Sequence, residues 1–584
     1  MKQRLSQLLM GTAAVAAFFS AAAFGQSPVE SKPARVTGAI TGRVINSVGD
    51  PLPGAVISAS AIGSVRVSQT AKADANGNFK IDGLPVSVYR VFAGMPGYAL
   101  SLPPSLSSQT FYHVGDTVTL TLRKGGVITG KVSGPNGPLI AAGVFAIRVR
   151  DEAGKRLPTP FTARERATDD RGIYRLYGLA PGSYLVLAAR PRIGRISPTP
   201  YDNDMPTYFP SSPRDTAAEI IVGEGEEITA DIQYRAESGR AVSGQVLGVG
   251  DSQYLRNVTV TLVDIHDRTA VFSVGVSTYD NFNFVFTGVP DGEYELSAFQ
   301  YLETRTELRS APRRVTLNGS DVSAANLTLA KQAAIEGRLV FESDAKNNCG
   351  KRRETAPQET VVFGRRYEPD NETDDKTRRR NDVSAGVANQ VSMDTGDETG
   401  RFVLRNLRPG THRIDPQAPS SGWYLRSITI DPTTPPARAT VTPSRDSITI
   451  RAAETVSGLR VTFAEGAARI RGVVTAPEGQ RLPASMFIYL VPAEKDGAAN
   501  LFRFFESPVA SDASFAFDNV TPGEYLIVAL KQDADTQPDI TIRFDPRLRN
   551  AVVREAQKLK QSFVLKPCER LDNFELPFGV STKP

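Results

Sequence analysis

The side chains best suited to metal or acid–base chemistry are scarce in this chain. Its 584 residues include three histidines, His113, His266 and His412, and two cysteines, Cys349 and Cys568. A catalytic zinc site needs three protein ligands close together, and a histidine base must lie beside the group it activates. Because the three histidines are far apart in the sequence, we expect no metal centre, no cofactor and no histidine-dependent catalysis.

A second chemistry is offered by aromatic residues that stand outside any regular pattern. Tyr208 lies in a Pro-rich stretch, and Trp423 and Tyr424 are neighbours. A flat ring on a loop can stack on the apolar face of a sugar while polar neighbours reach its hydroxyl groups. Packing beneath a long loop is the competing interpretation, and both stay open. We therefore name Tyr208, Trp423 and Tyr424 as candidate carbohydrate-binding residues.

The two cysteines could either form a disulfide or remain unpaired. In an oxidising compartment Cys349 and Cys568 could pair, and closing so long a loop would stabilise the fold by about 5 kcal/mol. The sequence does not show whether they meet.

The N-terminus indicates such a compartment. Lys2 and Arg4 precede an apolar run over residues 8–24, which ends in Ala23-Phe24-Gly25. A positive start, a short apolar run and small residues at its end are typical of a secretory signal peptide. We predict a signal peptide over residues 1–25, cleaved between Gly25 and Gln26; a membrane anchor is the alternative. The mature chain would be exported to the periplasm, the cell surface or the medium, with no integral membrane segment.

The charge composition limits the classes of partner that the chain can bind. The chain carries 68 basic and 63 acidic residues, a net charge of +5. This near balance argues against nucleic acid as a partner. Hydrophobic residues at 40% and charged residues at 22% are ordinary for a globular protein and exclude wholesale disorder.

The elements that must position any site follow a five-fold repeat. Two rings recur ten residues apart, with a turn motif such as GLAPGSY or NVTPGEY ending on the second ring. The five pairs are Phe79/Tyr89, Tyr174/Tyr184, Phe284/Tyr294, Phe402/His412 and Phe515/Tyr525. A motif of apolar-x-Gly-x-apolar precedes each pair, and an alternating apolar–polar run follows it. Period-two alternation between Pro-Gly and Asp-x-x-Gly turns is typical of strands. Too few carboxylates stand in the Asp-rich turns for a calcium loop to be the favoured alternative.

The fold class predicted is therefore all-β. It is a tandem array of small antiparallel, Greek-key β-sandwiches in line, with one short C-terminal helix. The predicted sandwiches span residues 37–124, 125–235, 236–331, 332–465 and 466–584. The fourth carries a long charged insertion at 343–394, expected to be a solvated loop, with binding of an acidic polymer as the alternative. Apolar residues at helical spacing predict a helix over 545–562 that packs on the fifth sandwich.

One known family shares these features. The segments ITGRV, DPLPGAVISAS, ADANGNF and GLPVSVYRVFAGMPGY, between Ile40 and Tyr98, resemble the carboxypeptidase regulatory-like domain. The second unit is also similar, notably over Thr207–Arg235, whereas the later units match at the repeated turns and strands. The resemblance implies a prealbumin-like, transthyretin-like β-sandwich of the carbohydrate-binding-like fold, in secreted or envelope modules of bacteria that are usually not catalytic.

The resemblance also allows enzymatic functions to be weighed. A metallocarboxypeptidase would need two histidines and a glutamate on zinc, and no HxxE motif is present. A buried lysine for an isopeptide bond would stand after the motif glycine, where only Lys131 among the five units is a lysine. We therefore expect a non-enzymatic binding or structural protein of the bacterial envelope, with weak multivalent carbohydrate binding. Its partner would be a polysaccharide or an envelope protein. The alternative is a secreted hydrolase, or an accessory subunit of a peptidase or glycan-degrading system, that uses paired carboxylates.

Overall fold

A computed structural model describes most of residues 37–578. The stretches it leaves out are 64–66, 100–109, 190–200, 251–257, 267–270, 303–306, 344–348, 350–354, 368–390, 431–446, 477–480, 484–485, 495–499, 532–545 and 560–561. The predicted signal peptide and its cleavage position at Gly25 and Gln26 lie outside the described residues.

The first sandwich is built from two sheets that face each other across one core. Its strands are β1 (Thr37–Asn46), β2 (Val56–Ala61), β3 (Ser68–Lys72), β4 (Asn78–Pro85), β5 (Val88–Gly94), β6 (Tyr112–His113) and β7 (Thr117–Leu122). One sheet has the order β4-β1-β7 and the other β3-β2-β5-β6. The alternating apolar residues predicted to face inward do so.

The second sandwich repeats this plan with additional short strands. They are β8 (Gly126–Gly134), β9 (Gly137–Pro138), β10 (Gly143–Arg150), β11 (Arg156–Ala167), β12 (Ile173–Leu179), β13 (Gly182–Ala189), β14 (Thr207–Tyr208), β15 (Ile220–Val222), β16 (Glu227–Thr229) and β17 (Ile232–Gln233). One sheet has the order β12-β8-β16, with β9 and β17 also on β8; the other has β11-β10-β13-β14, with β15 on β13.

The third sandwich differs because its two sheets join. Its strands are β18 (Arg240–Leu247), β19 (Val258–Asp264), β20 (Val271–Val276), β21 (Asn283–Val289), β22 (Gly292–Tyr301), β23 (Glu307–Ser310), β24 (Arg313–Leu317) and β25 (Leu327–Lys331). Their order is β20-β19-β22-β23-β25-β18-β21, with β24 on β22. Pairing of β23 with β25 makes the connection, so β20 and β21 are the two edges of one curved sheet.

The fourth sandwich corrects the prediction for residues 343–394. Its strands are β26 (Ala333–Glu342), β27 (Val361–Tyr367), β28 (Ser392–Thr395), β29 (Arg401–Leu407), β30 (Gly410–Gln417), β31 (Trp423–Ile430), β32 (Ser447–Ile450) and β33 (Thr455–Glu465). β27 lies inside the predicted insertion, yet it is paired on both sides in the sheet β28-β27-β30-β32. Its apolar start, Val361 to Phe363, is buried. The charged residues on either side hid this short strand.

The fifth sandwich carries the helix. Its strands are β34 (Ala468–Thr475), β35 (Met486–Pro492), β36 (Phe505–Pro508), β37 (Ser514–Val520), β38 (Gly523–Lys531), β39 (Ser562–Leu565) and β40 (Arg570–Pro577). The helix α1 (Pro546–Leu559) lies within the predicted range, and Val552, Val553 and Ala556 pack on the outer face of the β36-β35-β38-β39 sheet. This confirms the predicted all-β fold with one C-terminal helix. The limits of the individual domains stay a prediction.

One feature of the sheets was not predicted. Most neighbouring strands are antiparallel, but the first and last strands of a unit run parallel in all five sandwiches. The chain reaches its last strand by crossing from the opposite sheet, and such a crossover permits a parallel pair.

The glycine of the apolar-x-Gly-x-apolar motif makes room for the first repeated ring. In every unit it stands opposite that ring across an antiparallel pair. The pairs are Gly42–Phe79, Gly130–Tyr174, Gly244–Phe284, Gly337–Phe402 and Gly472–Phe515. A Cβ at any of these glycines would overlap the ring, the parallel neighbour strand or both, 2.8 Å from the Leu459 carbonyl in the case of Gly337. The repeated motif is therefore explained by packing.

The second repeated ring closes the turn that leads into it. The hydroxyl group of Tyr89 donates a hydrogen bond to the carbonyl oxygen of Pro85, four residues earlier, at 2.7 Å. Tyr184, Tyr294 and Tyr525 make the same bond in their units. Burial raises the pKa of Tyr89, Tyr184 and Tyr525 to about 12, so these hydroxyl groups stay protonated as donors.

His412 takes the place of tyrosine in the fourth unit and keeps its hydrogen bond. Its side chain is 1% exposed, and its Nε2 lies 2.7 Å from the carbonyl oxygen of Arg408, again four residues earlier. Because a carbonyl group can only accept, Nε2 must carry the proton. His412 is thus the structural equivalent of the turn-closing tyrosines of the other four units.

Consecutive sandwiches contact one another at a recurrent position. The residue that opens the turn motif has a φ between +59° and +72° in all five units. Asn406 holds this position in the fourth unit, and its Oδ1 accepts from the backbone N–H of Glu307 in the third at 2.8 Å. Asn519 holds it in the fifth, and its Nδ2 donates to the carbonyl oxygens of Ser420 and Trp423 in the fourth. Asparagine therefore supplies both the left-handed backbone and a bond to the preceding sandwich.

The first sandwich also contacts the fourth, which differs from the expected arrangement in line. Val88 packs with Val361 and Phe363 in one buried apolar cluster. Beside it, Nε2 of His113 lies 3.1 Å from the carbonyl oxygen of Glu359. These apolar residues lie on the outer faces of their sheets, where the sequence alone suggests partial exposure. In the structure each sandwich covers those of the other.

Candidate functional site

Tyr208 does not offer a ring to a ligand. Its side chain is 4% exposed and packs with Phe145, Leu185 and other residues on the outer face of the β10–β13 sheet. The guanidinium group of Arg214 lies 5.8 Å from the ring centroid. A ring with both faces in contact cannot stack on a sugar, so this candidate is corrected: Tyr208 is a packing residue beneath its loop.

Trp423 and Tyr424 begin β31 and lie on a strand, not on a loop. The Trp423 ring is half-buried and meets Phe341 edge-on, with the centroids 5.2 Å apart. Tyr424 is also half-buried, and successive residues of a strand face opposite sides of the sheet. The two rings therefore do not form one platform, and a role in carbohydrate binding stays a prediction for each singly.

The structure brings the two cysteines together. The Cα atoms of Cys349 and Cys568 are 5.2 Å apart, within the range for a disulfide. Cys349 lies in the part of the fourth sandwich that follows β26, and Cys568 lies just before β40. A bond between them would join the fourth and fifth sandwiches, which already meet at Asn519.

The three histidines are not brought together. His412 closes a turn, His113 lies at the contact between the first and fourth sandwiches, and His266 is largely exposed with its Nε2 4.0 Å from Glu293. Nor do His, Cys, Asp and Glu side chains form any group of three that could hold a metal ion, within the described ranges of the chain.

A concave surface occurs instead where the second sandwich meets the third. We call it the junction cleft; it is a cavity of about 320 Å³ whose lining includes Asp202, Asn203, Val274, Asp280, Asn283 and Val285. The lining contains apolar side chains of the edge strands β20 and β21, and Val285 is 48% exposed. The other lining residues named here carry carboxylate or amide groups. Ligand sites often occur in such clefts between domains.

The second sandwich contributes one wall of the junction cleft through a fixed turn at 201–204. The hydroxyl group of Thr287 donates to the carbonyl oxygen of Asp202 at 2.5 Å. The carbonyl oxygen of Asn203 accepts from the backbone N–H of Gly239 at 2.9 Å. Close contact between the Asp204 carbonyl and Gly288 leaves no room for a Cβ at that glycine. The wall is therefore held against the third sandwich.

The opposite side is shaped by the turn between β20 and β21. Ser277 caps a single 3-10 turn (Thr278–Asp280), and its hydroxyl and backbone N–H both donate to Oδ2 of Asp280. The Nδ2 of Asn283 donates to the backbone carbonyl of Asp280 at 2.9 Å. The two bonds from Ser277 hold Oδ2 of the Asp280 carboxylate, and the bond from Asn283 holds the backbone of the same residue.

Tyr279 stands within this turn, and its side chain is 97% exposed. No repeated motif of the sequence singles out Tyr279. The available signal was its position in the third unit, where S-T-Y-D-N replaces the Asp-x-x-Gly turn of the first two units.

The comparisons with known proteins bear on the first sandwich. Residues 39–123 match the carboxypeptidase regulatory-like domain family. The resemblance seen in the segments around Ile40–Tyr98 is thereby confirmed for that part of the chain. No curated protein has a sequence detectably similar to the chain.

Three of the solved structures that the chain matches are bacterial proteins. The Bacillus anthracis TIE protein is 15% identical over 50% of this chain and 51% of its own, with a TM-score of 0.13. The minor pilin of Streptococcus agalactiae is 12% identical over 35% of this chain and 98% of its own, with a TM-score of 0.18. The major pilin subunit of Bacillus cereus is 10% identical over 51% of this chain and 100% of its own, with a TM-score of 0.13. Because these identities and TM-scores are so low, the matches support no argument about the function of this chain. Its fold and function are argued from its own residues.

Over the described residues, no helix has the length and apolar character needed to span a membrane.

Proposed function

We propose that this chain is an exported, non-enzymatic protein of the bacterial envelope, in which linked sandwiches form a scaffold that binds polysaccharide weakly. The single observation that carries the proposal is the junction cleft, whose lining combines apolar side chains with carboxylate and amide side chains. The repeated aromatic residues do not contribute, because each is used in the core of its own sandwich.

The expected affinity is low. A shallow surface of this kind buries one sugar face at about 25 cal/mol per Å², which gives a few kcal/mol. After the cost of association, this corresponds to roughly high-micromolar to millimolar dissociation constants. Retention on a polymer then depends on several contacts along one chain, which an array of sandwiches permits.

A glycan-array screen of the mature chain, followed by competition, tests this proposal. We expect binding to immobilised polysaccharide that short oligosaccharides of the same composition displace only at millimolar concentration. Binding to no glycan would leave a purely structural role, with an envelope protein as the partner.

Export is tested separately by N-terminal sequencing of the protein recovered outside the cytoplasm. A mature N-terminus at Gln26 is expected, and retention of residues 1–25 would contradict export by a cleaved signal peptide.

A second candidate function is favoured by one observation. Asp202 and Asp280 both line the junction cleft, and paired carboxylates can hydrolyse glycosidic bonds. A hydrolase, or an accessory subunit of a degrading system, would therefore use the same cleft, and the release of reducing ends distinguishes it from a binding protein.

A further inference from the structure

We propose that strand β20 of the third sandwich is a docking edge for a second copy of this chain. The two β20 strands pair antiparallel across a two-fold axis and join the two third sandwiches through one continuous sheet. The proposal concerns how the scaffold assembles, and it does not depend on polysaccharide binding.

Strand β20 is paired on one side alone within the part of the chain that the structure describes. It pairs antiparallel with β19 and ends the sheet at that point. Ser273 and Gly275 are exposed, and a Cβ added at Gly275 would meet no atom within 4 Å beyond its chain neighbours. The N–H and carbonyl groups on the outer side of an edge strand are satisfied best by another extended chain.

The other four sandwiches have an edge strand at the equivalent place, so β20 can be compared with its counterparts. They are β3, β11, β28 and β36, and each ends its sheet as β20 does. All four contain charged residues, which include Lys72 in β3, Arg164 and Arg166 in β11, Asp394 in β28 and Glu506 in β36. Charged residues and prolines on an edge strand oppose pairing with another chain. β20 has the sequence VFSVGV and contains neither.

Two edge strands without an exposed charge are covered by another sandwich. β21 also contains no charged residue, and the hydroxyl group of Thr287 at its end donates to the Asp202 carbonyl in the second sandwich. The charge of β28 is on Asp394, which is 5% exposed, and Oγ1 of the next residue, Thr395, lies 3.5 Å from the Ile62 carbonyl of the first sandwich. No described strand covers β20 in the same way.

The composition of β20 favours a second copy as its partner. Because the strand is uncharged, two copies meet without the like-charge repulsion that Lys72 would cause between two β3 strands. Phe272 and Val274 pack against the core of the third sandwich. A register that places Ser273 opposite Ser273 of the second copy keeps both apolar residues on the core side, whereas a slip by one residue would not. Since both copies use the same edge, the assembly closes at a dimer.

The dimer should be weak. Two paired strands of six residues bury less area than the roughly 1,200 Å² of a standard stable interface. We therefore expect a dissociation constant in the micromolar range and a degree of association that depends on protein concentration.

Sedimentation velocity of the full mature chain, at about 1 to 200 μM and without polysaccharide, tests the proposal. A species of twice the mass of the chain should increase with concentration. Ser273→Lys and Ser273→Glu should each weaken this association at least about fivefold, because each places two like charges opposite one another. An equimolar mixture of the two variants should restore it, because the opposite charges then face each other.

The first sandwich offers a matched control. Thr70 is exposed on β3 and stands opposite Ser58 of β2, as Ser273 stands opposite Thr261 of β19. Thr70→Lys therefore adds the same charge at the equivalent edge position, and the dimer should be unaffected. Unfolding curves that coincide with the parent protein show that the variants are folded.

Each other outcome overturns the proposal. A chain that stays monomeric over the whole range has no self-pairing edge. A dimer that persists at full strength in both Ser273 variants forms through another surface. Species that continue to grow beyond the dimer would show an open-ended contact in place of a two-fold one. None of these results bears on polysaccharide binding, because no polymer is present.

Discussion

Replacing His412 is a sharp test of the repeated turn, because histidine stands where four other units have tyrosine. Burial lowers the pKa of His412 below its ordinary value of 6.5, and the nearby guanidinium group of Arg366 acts in the same direction. The unfolded chain therefore binds a proton more readily than the folded one. Since stability is lost where the unfolded state takes up more protons, the fourth sandwich should weaken as pH falls through 6.5.

The size of this loss has an upper limit. If His412 stays neutral in the folded protein, protonation of the unfolded chain costs about 1.4 kcal/mol at pH 5.5 and almost nothing at pH 7.5. His412→Tyr keeps a donor for the Arg408 carbonyl but does not titrate in this range. The difference in stability between the two pH values should therefore shrink by about 1 kcal/mol in this variant.

The single tryptophan of the chain provides the assay for unfolding of the fourth sandwich. Trp423 is the only tryptophan in the chain and packs against the core of the fourth sandwich, so its fluorescence reports on the unfolding of that sandwich. Urea titrations at pH 7.5 and 5.5 compare the parent protein with His412→Tyr and His412→Phe. The phenylalanine variant should lose the same pH dependence, and the unpaired Arg408 carbonyl should lower its stability by about 1 kcal/mol at both pH values. An unchanged pH dependence in both variants would refute the assignment of a buried, neutral His412.

Three further outcomes are expected. Peptide mapping without reductant should recover Cys349 linked to Cys568, and Cys568→Ser should lower the stability of the joined fourth and fifth sandwiches by up to about 5 kcal/mol; separate peptides would contradict the pairing. Glu307→Gln should destabilise the third sandwich by about 3–5 kcal/mol in urea titrations, because Glu307 is 1% exposed and its ion pair partner Arg309 is 8% exposed; a loss below about 1 kcal/mol would show that the pair is solvated. Burial tends to lower the pKa of His113, but its bonds to Asp116 and to the Glu359 carbonyl prevail and raise it. The stabilisation that protonated His113 provides is therefore complete below pH 6.5. It is lost as pH rises through the higher pKa of the folded state. Hydrogen exchange in β27 should therefore be faster relative to an unstructured reference at pH 8.5 than at pH 6, and His113→Phe should abolish that difference.

The sequence was most informative where one physical requirement recurs. The rings ten residues apart and the motif glycines could be read as a repeated core because packing demands the same residues in every unit. The same logic placed α1, since Val552, Val553 and Ala556 lie on one helical face.

Features that depend on contacts between units could not be predicted in the same way. β27 was hidden because only its first three residues are apolar and charged residues follow. The contact between the first and fourth sandwiches depends on Val88 and Phe363, which look like ordinary strand residues. For Tyr208 the sequence left sugar stacking and packing beneath the loop open, and only the structure shows that its ring covers the outer face of a sheet.

The junction cleft illustrates the remaining limit. Asp202 and Asp280 are far apart in the sequence, and both line the cleft only because the second sandwich holds a turn against the edge of the third. A sequence pattern within one unit cannot predict a site that two units form together.

The central claim is that this chain holds a polysaccharide without cleaving it. One incubation tests both parts: the mature protein is mixed with insoluble neutral polysaccharide, the bound fraction is measured after sedimentation, and reducing ends are measured in the supernatant over time. The account predicts a bound fraction that rises with the amount of polymer and reducing ends that stay at the level of the polymer alone. Reducing ends that increase with protein concentration, or protein that remains wholly in the supernatant, would contradict it.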